Sequence, residues 1–195
     1  MNWTDGTLKA AFEASRDQPW TDGFATVQSD NLDSGLLPIE GELPKDLRGT
    51  FFRNGPGRHE LGQARYSHKW DGDGMVQAFR FTDEGVRHEG RVVRTSKYLR
   101  ESEAGQPLVS AFGSALGNQS ALDTDIDEMN VANISVCLHR GELLALWEAG
   151  SAYQLDPGDL RTIGLKDWKS SELIRPFSAH PKIEDDGGLW NFGAD

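Results

Sequence analysis

The chain has 195 residues, with 31 acidic and 20 basic side chains and a formal net charge of −11. This length allows one compact domain or two small ones. The 37% hydrophobic and 26% charged residues are typical of a globular protein rather than a disordered one. Nucleic acids and anionic lipids select basic surfaces, so the acidic balance argues against both as electrostatic partners. A single cysteine, Cys137, excludes a disulfide scaffold and a zinc site built on several thiolates.

The sequence shows no secretory signal and no membrane span. Residues 1–20 carry acids and bases where a signal peptide needs an apolar core. No window approaches the roughly 20 apolar residues of a spanning helix. We therefore expect a cytoplasmic location, and peripheral membrane contact through a small apolar patch remains open.

The first part of the chain is predicted to be a helix followed by an arm. Leu8, Ala11 and Phe12 fall on one face at helical spacing, and Pro19 ends the pattern. Trp20–Leu37 is polar and rich in Gly and Asp, so we expect an arm or loop there. This divides the chain into an N-terminal helix and arm, 1–37, and a second part, 38–195.

The second part has the pattern of short β-strands joined by turns. A strand runs from Leu47 into a Gly-Pro-Gly turn, and glycines 72 and 74 are expected at turn positions with positive φ. The acidic stretch Glu101–Asn130 is expected to be a long loop. Hairpins are predicted at Met75–Tyr98 around Asp83-Glu84-Gly85 and at Arg140-Gly141. A further strand with an Asp156-Pro157-Gly158 turn and an element turning at Asp185–Gly188 follow. Short strands at this spacing indicate an all-β sandwich, barrel or propeller.

Two residues stand out as candidates for chemistry. The five histidines include no pair at chelating spacing, so a metal site would need distant segments. His180 precedes Pro181, which places it at a strand end or edge where its side chain can project into a cavity; the alternative is a partly exposed hairpin histidine. Glu148 follows the apolar run LLALW, which favours a carboxylate in or near a core with a histidine or arginine partner. A strand-end glutamate facing water is equally compatible.

Several segments, taken in order, resemble the carotenoid cleavage oxygenase family, which includes apocarotenoid and stilbene cleavage dioxygenases. The segments are GELPKDLRGTFFRNGPGR (41–58), HKWDGDGMVQAFRF (68–81), RVVRTSKYLRESEAG (91–105), AFGS (111–114), VANISVCLHRGELLALWEAGSAYQLDPGDLRTIG (131–164) and SAHPKIEDDGGLWNFG (178–193). The resemblance implies a seven-bladed β-propeller with iron(II), Fe2+, on its axis. Four histidines from different blades hold the iron, and three of them bond outer glutamates. The implied reaction adds O2 across a double bond of an apolar polyene and yields two carbonyl products.

The resemblance assigns roles to four residues. AHPK makes His180 an iron ligand, and LALWE makes Glu148 the outer carboxylate that would accept a ring N–H, fix the tautomer and raise ligand basicity. Trp147 and Phe112 match positions that line the substrate tunnel. Stilbene-cleaving members tend to carry lysines near the Val131 and Trp147 positions, so the apolar residues here favour an apocarotenoid.

The chain departs from the family in its length. It covers less than half of a member, the N-terminal arm and the first blades. Nothing in it supplies the other three histidines. We therefore expect the chain alone to be inactive and prone to aggregate, and its partners to include the missing propeller blades. Alternatives are a non-catalytic β-domain acting as a binding module, or a stilbene-cleaving or isomerohydrolase-type member of the same fold.

Overall fold

The computed structural model describes residues 3–116, 125–170 and 175–193. Within these ranges the backbone forms two four-stranded antiparallel sheets and two small two-stranded ones, which confirms the all-β prediction. The strands are β1 (Asn31–Leu36), β2 (Gly49–Arg58), β3 (Glu60–Leu61), β4 (Ala64–Arg65), β5 (Asp73–Thr82), β6 (Gly85–Val92), β7 (Ser135–His139), β8 (Glu142–Leu146), β9 (Tyr153–Leu155), β10 (Thr162–Leu165), β11 (Lys182–Ile183) and β12 (Leu189–Trp190).

The first sheet has the strand order β1-β6-β5-β2. The predicted hairpin forms between β5 and β6, with Thr82 paired to Gly85. The predicted Gly-Pro-Gly turn is wrong, because β2 stays paired with β5 as far as Arg58 and absorbs these residues in a register shift after Pro56. Gly74 is needed for close approach rather than for positive φ, since a Cβ there would lie 2.1 Å from the carbonyl oxygen of Ala132.

Strand β1 corrects the prediction that Trp20–Leu37 is only arm or loop. It pairs antiparallel with β6, from Asn31 opposite Arg91 to Leu36 opposite Arg87. Its sequence, NLDSGL, has little apolar alternation because it lies at the sheet edge with most of its residues exposed. The register shifts at Gly35, whose φ is +63°.

The second sheet follows the chain in sequence, with the order β10-β9-β8-β7. The hairpin predicted at Arg140-Gly141 is confirmed, with His139 paired to Glu142 across it. Both turn residues have positive φ, as a tight two-residue hairpin turn requires. The predicted turns at Asp156-Pro157-Gly158 and Asp185–Gly188 join antiparallel pairs, β9 with β10 and β11 with β12.

The two large sheets stack face to face around the main core. Its fully buried apolar side chains come from β5, β8 and β9 and include Val76, Ala78, Leu143, Ala145 and Leu155. The opposite face of β8 carries Leu144 and Leu146, which pack against Phe177 and Ala179. This second contact brings the segment before β11 against the second sheet.

A helix, α2 (Ser96–Ala104), replaces the end of the predicted hairpin strand and the start of the predicted loop. The side chain of Thr95 caps it by accepting a hydrogen bond from the amide of Tyr98, and Gly105 ends it in the left-handed conformation. Within the predicted loop, Ile126–Glu128 forms a 3-10 turn. Residues 117–124 lie outside the described ranges.

Helix α2 docks on the first sheet through buried charges and through Tyr98, which packs against Met75 and Val92. The ammonium of Lys97 lies 3.1 Å from Asp73, 2.8 Å from Glu101 and 2.6 Å from the hydroxyl of Tyr66. Burial disfavours the charge of Lys97, but the two carboxylates outweigh burial and raise its pKa above the usual value. Asp73 also accepts a 2.7 Å hydrogen bond from Arg58.

The predicted N-terminal helix is confirmed as α1 (Thr7–Glu13), and a 3-10 helix follows at Pro19–Phe24. Phe12 of α1 is buried, with the guanidinium of Arg65 stacked 3.3 Å from its ring centre. Among the described residues, no helix combines the length and the apolar character needed to cross a membrane.

Candidate functional site

The imidazole of His180 and the carboxylate of Glu148 form a pair on the outer face of the second sheet. His180 Nε2 lies 2.9 Å from Glu148 Oε1. The His180 side chain is 65% exposed and that of Glu148 is 50% exposed. The core location expected for Glu148 is therefore not observed, because its side chain lies exposed just after the end of β8. The expected histidine partner is present.

The backbone holds the two residues together over a separation that spans β9 and β10. After β8 the chain turns, and the carbonyl of Gly150 accepts a 2.9 Å hydrogen bond from the amide of Phe177. Glu148 Oε2 accepts a 3.3 Å hydrogen bond from the amide of Ala179. The buried contacts of Leu146 with Phe177 and Ala179 fix the same two segments. The pair thus rests on packed and hydrogen-bonded backbone.

Ser135 of β7 provides a third anchor that the sequence did not single out. Its hydroxyl donates a hydrogen bond to the carbonyl of Ala179, the residue before His180. The amide group of Asn54 donates to the carbonyls of Ala132 and Ser135, at 2.8 and 2.9 Å, and so ties β2 to β7.

The His180 imidazole, held by Glu148, could supply one ligand of a metal centre. Glu148 takes one ring nitrogen of His180, so the other remains able to bind a metal, as when an outer carboxylate orients a ligating histidine. Among the described residues, no three His, Cys, Asp or Glu side chains group closely enough to hold an ion. Cys137 in β7 is a poor donor, since burial raises its pKa to about 11 and keeps it a thiol.

Phe112 lies on a turn that is anchored to the 3-10 turn Lys69–Asp71, directly before β5. Its ring is 82% exposed and meets the ring of His68 edge-on, with centres 5.2 Å apart. The fully buried Asp71 accepts hydrogen bonds from the amide of Gly113 at 2.9 Å and from the hydroxyl of Ser114 at 2.6 Å. The hydrogen bonds to Asp71 thus fix the turn that exposes the Phe112 ring to solvent.

Trp147 is half-buried at the end of β8, directly before Glu148. A Cβ added at Gly150 would lie 3.0 Å from the Trp147 ring, so the turn packs closely beneath it. No contact in the described structure joins Trp147 to Phe112. The structure thus brings together His180 and Glu148, whereas Trp147 lies just after β8 and Phe112 lies on a separate turn.

The fold and the pair can be compared with known proteins. A family profile described as retinal pigment epithelial membrane protein, RPE65, matches residues 24–195. Apocarotenoid-15,15'-oxygenase from Synechocystis is 39% identical over 179 residues, which cover 88% of this chain and 36% of that protein. Isoeugenol monooxygenase from Pseudomonas nitroreducens is 34% identical over 171 residues, covering 86% and 34%. The chain thus spans about one third of the length of these relatives.

Solved structures agree with the sequence comparison. A glutamate-to-aspartate variant of the Synechocystis apocarotenoid oxygenase superposes with a TM-score of 0.77 at 35% identity, covering 90% of this chain and 39% of that chain. A cobalt-substituted form of the Synechocystis oxygenase gives 0.75 at 38% identity, covering 88% and 38%. These neighbours are seven-bladed propellers, and the two four-stranded sheets correspond to the first blades, which confirms the predicted fold. The chain belongs to the RPE65 family of carotenoid cleavage oxygenases.

Proposed function

We propose that the chain is the N-terminal part of a non-haem iron(II) dioxygenase that cleaves a carbon–carbon double bond of an apocarotenoid to carbonyl products. The observation that carries this proposal is the 2.9 Å contact between His180 and Glu148. Both residues stand in motifs shared with the family, and the family relatives include an apocarotenoid oxygenase. The cobalt-substituted neighbour supports a metal in the complete fold.

In this proposal His180 contributes one imidazole to the iron, and Glu148 holds the ring through its second nitrogen. The carboxylate fixes the tautomer and makes the bound nitrogen more basic. Both side chains face outward from the second blade, so the remaining histidines would come from blades outside this chain. Bound iron(II) would supply the activation of O2.

The proposed substrate class rests on the apolar residues that the family resemblance relates to the substrate. Trp147 presents an indole beside Glu148, and Val131 is buried at 2% exposure, so neither position offers a charged or phenol-binding group. Phe112 presents a second aromatic surface from its anchored turn. Aromatic faces can stabilise cationic character that develops on a polyene.

The test compares the 195-residue chain with a longer protein that adds the blades present in the relatives. We expect one iron per molecule and O2-dependent cleavage of an apocarotenal only in the longer protein. In that protein His180→Ala should lose the iron, and Glu148→Gln should weaken iron binding about 10- to 100-fold, as outer-carboxylate substitutions do. Iron is measured by elemental analysis and by titration with a chelator.

A matched control is His88→Gln on the first sheet, since His88 hydrogen-bonds Ser34 and Gln77 rather than a carboxylate. It should leave the iron content unchanged. Full iron occupancy in the His180→Ala protein would contradict the assigned ligand. Cleavage of isoeugenol in preference to the apocarotenal would contradict the substrate class while leaving the iron assignment intact.

A further inference from the structure

A cavity of about 380 Å3 lies between the N-terminal segment and the connection from His59 to Lys69 that joins β2 to β5. Its walls are mainly aromatic and aliphatic and are formed by Leu8, Ala11, Phe12, Trp20, Phe24 and Tyr66. The rings of Phe12, Trp20 and Phe24 meet edge-on in succession, with centres about 6 Å apart. Pockets of this size and composition bind small apolar molecules.

The charged side chains that line the cavity are basic, although the protein as a whole is acidic. The chain carries a net charge of −11, but none of the described residues lining the cavity is acidic, and two of them are Arg65 and Lys69. Arg65 is already engaged, since its guanidinium hydrogen-bonds the nearby Glu60 and the carbonyl of Phe24. Lys69 has no carboxylate partner among the described residues. Its ammonium lies 5.7 Å from the ring centre of Phe24 and 4.9 Å from that of Trp70.

At the buried end of the cavity, the charge of Arg65 is already paired with Glu60, and His59 is neutral. His59 is 3% exposed, and burial, with the positive charge of Arg65, lowers its pKa to about 4, so its ring is neutral at pH 7. The hydroxyl of Tyr66 is turned away to Lys97 and Glu101. The cavity is therefore mainly apolar within, with its buried guanidinium already paired, and it carries at its exposed rim Lys69, a cation without a carboxylate partner among the described residues.

We propose that this cavity binds a free amphiphilic carboxylate, with the apolar body between Phe12, Trp20 and Phe24 and the anionic end at Lys69. A concave pocket with Phe12 and Tyr66 buried in its wall suits a single small molecule better than a flat lipid surface. The site shares no residue with the His180–Glu148 pair, so this proposal does not depend on the proposed oxygenase function.

Isothermal titration calorimetry of the 195-residue chain with decanoate and decanol, both below their micelle or solubility limits, tests the proposal. The two probes share a ten-carbon body and differ in charge. We expect decanoate to bind about fivefold more tightly than decanol, as a partly exposed ion pair permits. Lys69→Gln should remove the preference and keep decanol binding. Lys45→Gln, at another exposed lysine, should keep the preference.

Two further variants locate the site. Ala11→Trp, which fills the cavity from the surface of α1, should abolish binding of both probes, whereas His180→Ala should change neither affinity. The proposal is overturned if neither probe binds, if the two bind equally, if the Lys69→Gln protein retains the preference, or if Ala11→Trp binds both probes normally. Binding only to phosphatidylglycerol vesicles, without soluble decanoate, would also overturn it and would assign the surface to a membrane.

Discussion

Asp71 shows how a single buried carboxylate can hold a functional surface. It accepts hydrogen bonds from Gly113 and Ser114 beneath the exposed ring of Phe112. Gly113 has no room for a side chain, because a Cβ would lie 2.3 Å from the Cβ of His68. The turn therefore depends on both the carboxylate and the glycine for its close contact with the segment before β5.

We predict that Asp71→Ala lowers the free energy of unfolding by about 1–3 kcal/mol, because the buried partners in the turn lose their acceptor. Urea unfolding at sub-micromolar concentration measures this change, and hydrogen exchange should show faster exchange at the Gly113 amide. Asp186→Ala is the matched control: Asp186 accepts from the amide of Gly188 in an exposed turn, and its loss should cost less than about 0.5 kcal/mol. An equal effect of both substitutions would contradict the role of burial.

His59 gives the protein a pH dependence of known sign. Its pKa is about 4 in the folded state, against about 6.5 for an ordinary histidine. Between these values the unfolded chain binds a proton that the folded chain does not, so the free energy of unfolding falls as the pH falls from about 6.5 towards 4.

We predict a loss of up to about 3 kcal/mol across this window, as the pKa difference implies. The measurement is urea unfolding at pH 7, 6 and 5 for the wild-type and His59→Gln proteins. The difference between the two proteins should shrink on acidification. A parallel pH profile in both would show that His59 does not titrate as described.

The candidate pair was predicted only in part from single residues. The sequence indicated that His180 lies near a strand end, and the resemblance connected it to Glu148. The exposure of Glu148 could not be read from LLALW, because the strand ends at Leu146 and the chain then turns outward. Ser135 and Asn54 were missed because a hydroxyl and an amide carry no spacing pattern, and their partners lie on other strands.

At the scale of elements, hairpins with alternating residues and turn signals were predictable, whereas α2 and β1 were not. Helix α2 buries Tyr98 together with the charged Lys97 and Glu101, so it lacks the usual apolar periodicity of a helix. Its end signals, Thr95 and Gly105, were present and would have found it. Strand β1 was missed because an exposed edge strand needs no apolar face.

We predict that Lys97→Met lowers the free energy of unfolding by about 3–5 kcal/mol, because it leaves Asp73 and Glu101 buried without their shared cation. Thermal or urea unfolding measures the change, and helix α2 should lose hydrogen-exchange protection first. Lys9→Met, which removes a partly exposed pair with Glu60, should cost less than about 1 kcal/mol. Similar losses in the two proteins would show that the buried cluster does not anchor the helix.

On the scale of the whole molecule, the chain leaves apolar surface at both ends of its stack of sheets. Phe51 is 57% exposed on the first sheet, Ile163 is 53% exposed on the edge strand β10, and Trp190 is 67% exposed on β12. Exposed apolar faces and open strand edges favour association between copies.

We predict that the isolated chain self-associates at micromolar concentration, whereas the longer protein with all blades does not. Sedimentation velocity over a concentration series measures this. Ile163→Lys should reduce association of the chain, because a charged side chain on an edge strand opposes pairing, while Gln28→Lys adds the same charge at an exposed arm position and should have little effect. A chain that remains monomeric at high concentration would contradict the prediction.

The order of strands in the first sheet also sets the order in which the blades can form during synthesis. Since β1 pairs with β6, Asn31 can form its strand pair only after the ribosome has synthesised Arg91, and β1 can join the edge of that sheet only then. The second sheet has no such delay, because each of its strands pairs with its neighbour in sequence. Closing a long loop costs more entropy than closing a hairpin. We therefore expect β1 to be the last strand to join the first blade, so the N-terminal segment stays free until the blade it completes already exists.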